Sequence, residues 1–243
     1  MPIRLGILEA DVLYDDLIED YQSYGRIFHK FFDQVKANNS FEAEFEVNYY
    51  LIQEGQYPQS HDECDVYLIT GSKTGVYDDV PWLPSLTQWL QQAYQQGSRL
   101  MGICFGHQIL AHALGGNAEK SDKGWGVGVR EVAMQSFPLW IPDCPSDFKL
   151  IYSHQDQVTE LPENAKCLAG DDFCPNAAFY IDNQVVGFQG HPEFTPEYTQ
   201  RLLGRRQDAI GEPTFSDAMK SLDEPTDEEM IGLWLLEFMV YID

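Results

Sequence analysis

The chain has 243 residues with 39 acidic and 15 basic side chains, a formal charge of −24, and a length that suits one ordinary to large domain without a disulfide or metal staple. Apolar residues make up 44% and aromatics 13%, which argues against global disorder. The acidic balance argues against nucleic acid and against anionic membrane surfaces, because phosphates require Lys and Arg to neutralise them.

Short apolar strands alternate with helical patterns, the signature of an α/β protein with a largely parallel sheet. Ile3–Leu8 reads as the first strand. Tyr24, Ile27, Phe28, Phe31, Phe32 and Val35 then recur at helical spacing, and Phe41–Tyr50 alternates as a second strand. Val66–Thr70 is a buried strand that ends in a turn at Gly71-Ser72, and Trp82–Gln96 is a helix with Trp89 and Leu90 on one face. Arg99–Ile103 is the next strand. The helix after it, read over Gln108–Leu114, ends at Gly115-Gly116. From about Gly124 the texture becomes β-rich, with short polar turns between pieces such as FKLIYSH and VVGFQG. Helices are expected at Glu197–Ala209 and Asp227–Tyr241. The whole chain, 1–243, is read as a single domain with a helical extension from about 207, whose ten acidic residues against Lys220 form a solvated face.

The start carries no signal-peptide pattern, and no stretch approaches the ~20 apolar residues of a membrane span. Five cysteines without a CxxC pair point to a reduced, cytoplasmic protein.

The most informative segment is Gly102-Ile103-Cys104-Phe105-Gly106-His107-Gln108. A strand runs into Gly102-x-Cys104-x-Gly106 and a helix begins at once, the thiol counterpart of the nucleophile elbow. The glycines are needed because the nucleophile sits on a strained strand-to-helix turn. The helix N-terminus favours a thiolate, and the Phe105 N–H is placed for a developing oxyanion. A cysteine nucleophile needs a base, and the base an orienting group. Gly190-His191-Pro192-Glu193 supplies both: His191 follows a buried strand, and Glu193 can accept from its imidazole. His107 and His112 face different sides of one helix, so no metal site is expected there. Lys73, Asp78 and Asp79, in the loop opposite the elbow, read as solvated charges, and Trp125 as a core or cleft-wall aromatic.

These residues resemble the class I, triad-type glutamine amidotransferases. The likeness runs from the first strand to about residue 205 and rests on GICFGHQ (102–108) and His-Pro-Glu (191–193), supported by Thr70-Gly71-Ser72 and by SHQDQV (153–158). ITGSKTGVYDD, KGWGVG and the early ILEAD segment are similar to stand-alone members described as GMP-synthase-like. The resemblance implies a doubly wound, flavodoxin-like sheet with flanking helices. It implies attack by Cys104 on the side-chain amide of glutamine, with His191 moving the proton and a γ-glutamyl thioester hydrolysed to glutamate. Gly71 and Phe105 would form the oxyanion hole, Gln108 and the backbone near Ser153 and His154 would hold the substrate's α-carboxylate and α-amino groups, and Ser72 would also bind substrate. No cofactor is implied.

Three functions compete. The first is a glutamine amidase that hands ammonia to a separate synthase subunit, since no GxxxxGK[ST] loop for an ATP-dependent partner reaction is present. The second is a free-standing hydrolase of γ-glutamyl peptides or amides with the same triad. The third is a non-enzymatic binding module; a PfpI-like cysteine site is a poorer fit because His191 lies so far downstream.

Overall fold

The computed structural model describes residues 2–141 and 144–241. In chain order the elements are β1 (Ile3–Glu9), α1 (Asp15–Tyr21), α2 (Tyr24–Asn39), β2 (Phe45–Leu51), β3 (Val66–Ile69), α3 (Leu83–Gln95), β4 (Arg99–Ile103) and α4 (Phe105–Ala113). There follow β5 (Asn117–Lys120), β6 (Gly126–Met134), β7 (Asp147–His154), β8 (Asp156–Glu160), β9 (Lys166–Gly170), β10 (Ala178–Ile181) and β11 (Val185–Phe188). Three helices, α5 (Pro196–Ile210), α6 (Thr214–Ser221) and α7 (Glu228–Val240), complete the chain.

Nine strands form one sheet in the order β2-β1-β3-β4-β11-β10-β9-β6-β7. The first five run parallel, with α1 and α2 between β1 and β2, α3 between β3 and β4 and α4 directly after β4, the doubly wound α/β arrangement that the sequence implies. The remaining four form an antiparallel wing. Strands β3, β4 and β11 are buried almost throughout, which is why they read as continuous apolar runs.

Helices cover both faces. On one, Phe28, Phe32 and Val35 of α2 join Ile231, Trp234 and Leu235 of α7 over the sheet. On the other, Leu86 and Leu90 of α3 pack with Ile109 and Leu110 of α4. Ser23 caps α2, its hydroxyl accepting from the Arg26 N–H at 3.2 Å. Strand β2 begins at Phe45 rather than Phe41, because Phe45 pairs with Ile3 and no strand residue precedes Ile3 to pair with the segment before it.

The antiparallel wing curls back on itself. The His191 N–H donates to the Ile151 carbonyl of β7 at 2.8 Å, so the last strand in the order touches the segment that leaves β11. Gly190 makes this approach possible: an added Cβ would lie 2.9 Å from Leu150 Cβ. Among the described residues no helix is long and apolar enough to cross a membrane.

The tightest packing is at the elbow. A Cβ on Gly106 would lie 2.8 Å from the Ile69 carbonyl carbon and closer still to its oxygen; one on Gly102 would lie 2.7 Å from the His107 nitrogen. Backbone cannot yield there as a flexible side chain would. Gly106→Ala is therefore expected to destabilise the fold by about 3 kcal/mol, the upper range for overpacking. Thermal unfolding should show this as a fall in Tm of roughly 6–12 °C for a chain of this size.

Candidate active site

Strand β4 and helix α4 meet at Cys104, whose backbone has φ 54° and ψ −106°. For a residue with a Cβ this left-handed conformation costs on the order of 1–3 kcal/mol. Hydrogen bonds on both sides hold it: the Cys104 N–H donates to the Phe188 carbonyl at 2.8 Å, and its own carbonyl accepts from the Gln108 N–H at 3.0 Å. The next N–H, that of Phe105, opens the helix and has no intrahelical partner. Gly71 borders the same point, since a Cβ on it would lie 3.2 Å from His191 Cε1 and 3.7 Å from Cys104 Cβ. Thr70 fixes that turn by accepting from the Ala10 N–H at 3.0 Å and donating to the Gly71 carbonyl at 3.2 Å. Neither the Gly71 nor the Phe105 N–H is taken by another group among the described residues.

His191 is delivered by β11 through Gln189 and Gly190. Its Nδ1 lies 2.8 Å from Glu193 Oε1, both side chains are buried, and its ring stacks on Phe194 with centroids 3.8 Å apart. Nε2 is left free of Glu193, and the ring and the Cys104 side chain both border Gly71, which brings the imidazole within electrostatic reach of the sulfur. Burial opposes charging of the imidazole, but the Glu193 carboxylate and the Cys104 sulfur outweigh it and raise the pKa from the ordinary 6.5 to about 9. Cys104, His191 and Glu193 are thus brought together as the sequence suggests.

The sulfur faces a cavity of about 410 Å³ whose walls include Ser72, Gln108, Ser153, His154 and Arg206. A larger cavity of about 540 Å³ lies behind Glu193 and Phe194, beside α2 and the start of α7, and Cys104 does not line it. The four expected substrate residues all reach the first cavity, but their side chains are largely committed within the protein. Gln108 Nε2 donates to the Asp156 carbonyl at 2.8 Å and to Gln189 Oε1 at 2.9 Å, which leaves its carbonyl oxygen to face a ligand. His154 is driven down to about 3 by burial and is therefore a neutral ring, bonded through Nδ1 to the Asp156 carbonyl at 3.0 Å. Ser72 Oγ accepts from the Thr74 N–H at 3.1 Å, and Ser153 Oγ from Arg206 at 2.9 Å.

Residues 30–206 match the family model described as glutamine amidotransferase class-I. The chain belongs to that family. Gamma-glutamyl peptidase 3 of Arabidopsis thaliana is 30% identical over 194 residues, 76% of this chain and 78% of that one. GMP synthase (glutamine-hydrolyzing) of Aeropyrum pernix is 36% identical over 120 residues, which are 49% of this chain and 23% of the synthase. In fold the chain is similar to a glutamine amidotransferase of Thermotoga maritima, with TM-score 0.73, 18% identity, and coverage of 99% of this chain and 97% of that one.

The structure also places around the cavity residues that no motif in the chain marks. Lys73 is not simply solvated: its Nζ lies 2.9 Å from Oδ1 of the buried Asp11, tying the loop after β3 to the loop after β1. Asp156 lines the cavity, and burial raises its carboxyl against the opposing influence of Tyr77. Burial likewise pushes the Tyr77 phenol up, to about 12. Arg206 also lines the cavity, on a helix whose Arg201, Arg205 and Arg206 stand out in so acidic a chain.

The raised pKa of His191 has a signed consequence for stability. The folded state holds this proton more tightly than the unfolded chain. The contribution is complete below the ordinary 6.5 and is lost as pH climbs through about 9. The Tm difference between wild type and Glu193→Gln should accordingly be largest near about pH 6 and shrink towards about pH 10. A difference that stays constant over that range would contradict the coupling.

Proposed function

We propose that this chain is a cysteine-dependent hydrolase of the γ-glutamyl amide bond, with glutamine as its smallest substrate. The observation that carries the reading is Cys104, held at the strained end of β4 beside a histidine that is itself bonded to a buried carboxylate. Such an arrangement serves nucleophilic acyl transfer.

In the first step the Cys104 sulfur attacks the amide carbon with the thiol proton held on His191, the charged form that its pKa of about 9 favours. The Gly71 and Phe105 N–H groups receive the charge that develops on the oxygen; a single donor of this kind is worth roughly 10²–10³ in rate. Collapse breaks the carbon–nitrogen bond, and His191 gives its proton to the departing ammonia or amine. Water then attacks the γ-glutamyl thioester, His191 accepting a proton from it and returning one to the sulfur, and glutamate leaves. Glu193 stabilises the imidazolium that forms in both halves. In an amidotransferase setting the ammonia would pass to a synthase partner. A reducing, cytoplasmic environment suits a nucleophilic thiol beside four further free cysteines.

A second reading, a free-standing γ-glutamyl peptidase, draws support from the Arabidopsis relative and from the cavity. About 410 Å³ falls in the range occupied by drug-sized ligands, more than one glutamine fills. The two readings share every chemical step and differ only in the leaving amine.

Glutamate release from glutamine and from a panel of γ-glutamyl peptides tests the proposal. Cys104→Ala is expected to release none from either class while its Tm stays close to wild type; retained release would refute the thioester route. Glu193→Gln is expected to lose about 10²-fold or more in kcat/KM. Its alkaline limb should move below about pH 9, because the imidazolium loses its counter-charge. An unmoved limb would take Glu193 out of the triad.

A further inference from the structure

The active-site cavity gathers cations in a protein that has few. Lys73, Lys120, Arg205 and Arg206 border it against two carboxylates, Asp78 and Asp156, in a chain with 15 basic and 39 acidic side chains. Lys73 is neutralised by Asp11 and Arg205 by Asp16. Arg206 is different. Its guanidinium donates to Ser153 Oγ at 2.9 Å and to the Ser153 carbonyl at 3.3 Å, and it lies 5.7 Å from the centre of the Trp125 ring. These partners are all neutral, and among the described residues no carboxylate pairs with it. A partly buried guanidinium has given up hydration that neutral groups replace only in part. With more than two carboxylates available for every cation, the lack of one here marks a place for an anion brought by a ligand. That place is near the chemistry, for Cys104 and Arg206 line the same cavity.

The charge balance indicates which anion. Glutamine is neutral overall, with one carboxylate and one ammonium, and its leaving group carries no charge to recognise. A γ-glutamyl peptide adds a second carboxylate on the leaving side. Arg206, on the cavity wall without a carboxylate partner among the described residues, matches that added carboxylate. The volume of about 410 Å³ leaves room for it.

We propose that Arg206 binds the C-terminal carboxylate of a γ-glutamyl peptide and so makes peptides, rather than glutamine, the preferred substrates of this site. The proposal rests on the γ-glutamyl hydrolase reading above. The planar guanidinium can engage a carboxylate through two parallel N–H donors, with Ser153 and Trp125 fixing its orientation.

Steady-state kinetics on γ-glutamylglycine and γ-glutamylglycinamide, which differ only in the terminal charge, provide the test. Wild type should prefer the acid in kcat/KM by about tenfold or more, the scale of one charge-assisted contact. In Arg206→Gln the ratio should collapse towards one, through KM rather than kcat, and Arg206→Lys should keep part of it as a point charge. A wild-type ratio near one would overturn the assignment. So would a loss in Arg206→Gln shared equally by both substrates, the pattern of a structural prop for Ser153 or of a contact to the α-carboxylate. If wild type turns over no γ-glutamyl compound, the hydrolase reading itself fails. Thermal shift with the Cys104→Ala chain then decides on Arg206 separately: stabilisation by γ-glutamylglycine that disappears in the Cys104→Ala/Arg206→Gln chain supports the carboxylate site, and its persistence or complete absence sinks it.

Discussion

The whole site depends on how closely α4 lies against β3 and β4. Backbone touches backbone at Gly102 and Gly106, with no side chain between to act as a spacer. That proximity makes the chain turn from strand to helix within one residue, and the residue at the turn, Cys104, takes the positive φ that lifts its side chain clear. The same contact brings the end of β3 alongside, so that Gly71 and Phe105 present free N–H groups from two different crossovers. A steric constraint thus sets the positions of one sulfur and two hydrogen-bond donors before any electrostatic effect enters.

Electrostatics then acts on His191. Burial by itself would keep the ring neutral, as it does for His107 and His154, whose pKa values fall to about 4 and about 3. What distinguishes His191 is a buried carboxylate on Nδ1 and a sulfur on the other side of the ring. Three buried imidazoles in one fold therefore divide by their partners: carbonyl oxygens leave two of them neutral, and a buried carboxylate with a sulfur nearby poises the third to hold a proton.

Much of this could be read from the sequence because its causes are local. The Gly-x-Cys-x-Gly spacing states the close approach, the apolar runs state the buried parallel strands, and His-Pro-Glu places a carboxylate two residues from an imidazole. Helices α1 and α6 escaped because each is short and buries a single residue, Leu17 and Ala218. Periodicity needs a longer window than that. Strands β5 and β8 pair only with each other, outside the main sheet, and alternate too weakly to be distinguished from turns. Arg206 escaped for another reason. Helical spacing marks Leu202 and Leu203 as the buried face of α5, but that the neighbouring arginine meets Ser153, across more than fifty residues of chain, is a property of the fold alone.

Strand β7 ends the sheet, and such a strand ordinarily offers a row of unpaired amides to any passing chain. Here the row is occupied. Asp227 takes the Lys149 N–H through its carboxylate and gives its own N–H to the Lys149 carbonyl. His191 takes the Ile151 carbonyl and Arg206 the Ser153 carbonyl. These positions alternate along the strand, so they cover its outward-facing carbonyls in succession. The contacts that seat the histidine and the arginine also blunt this edge against intermolecular strand pairing, which ties the placement of the site to the colloidal behaviour of the protein.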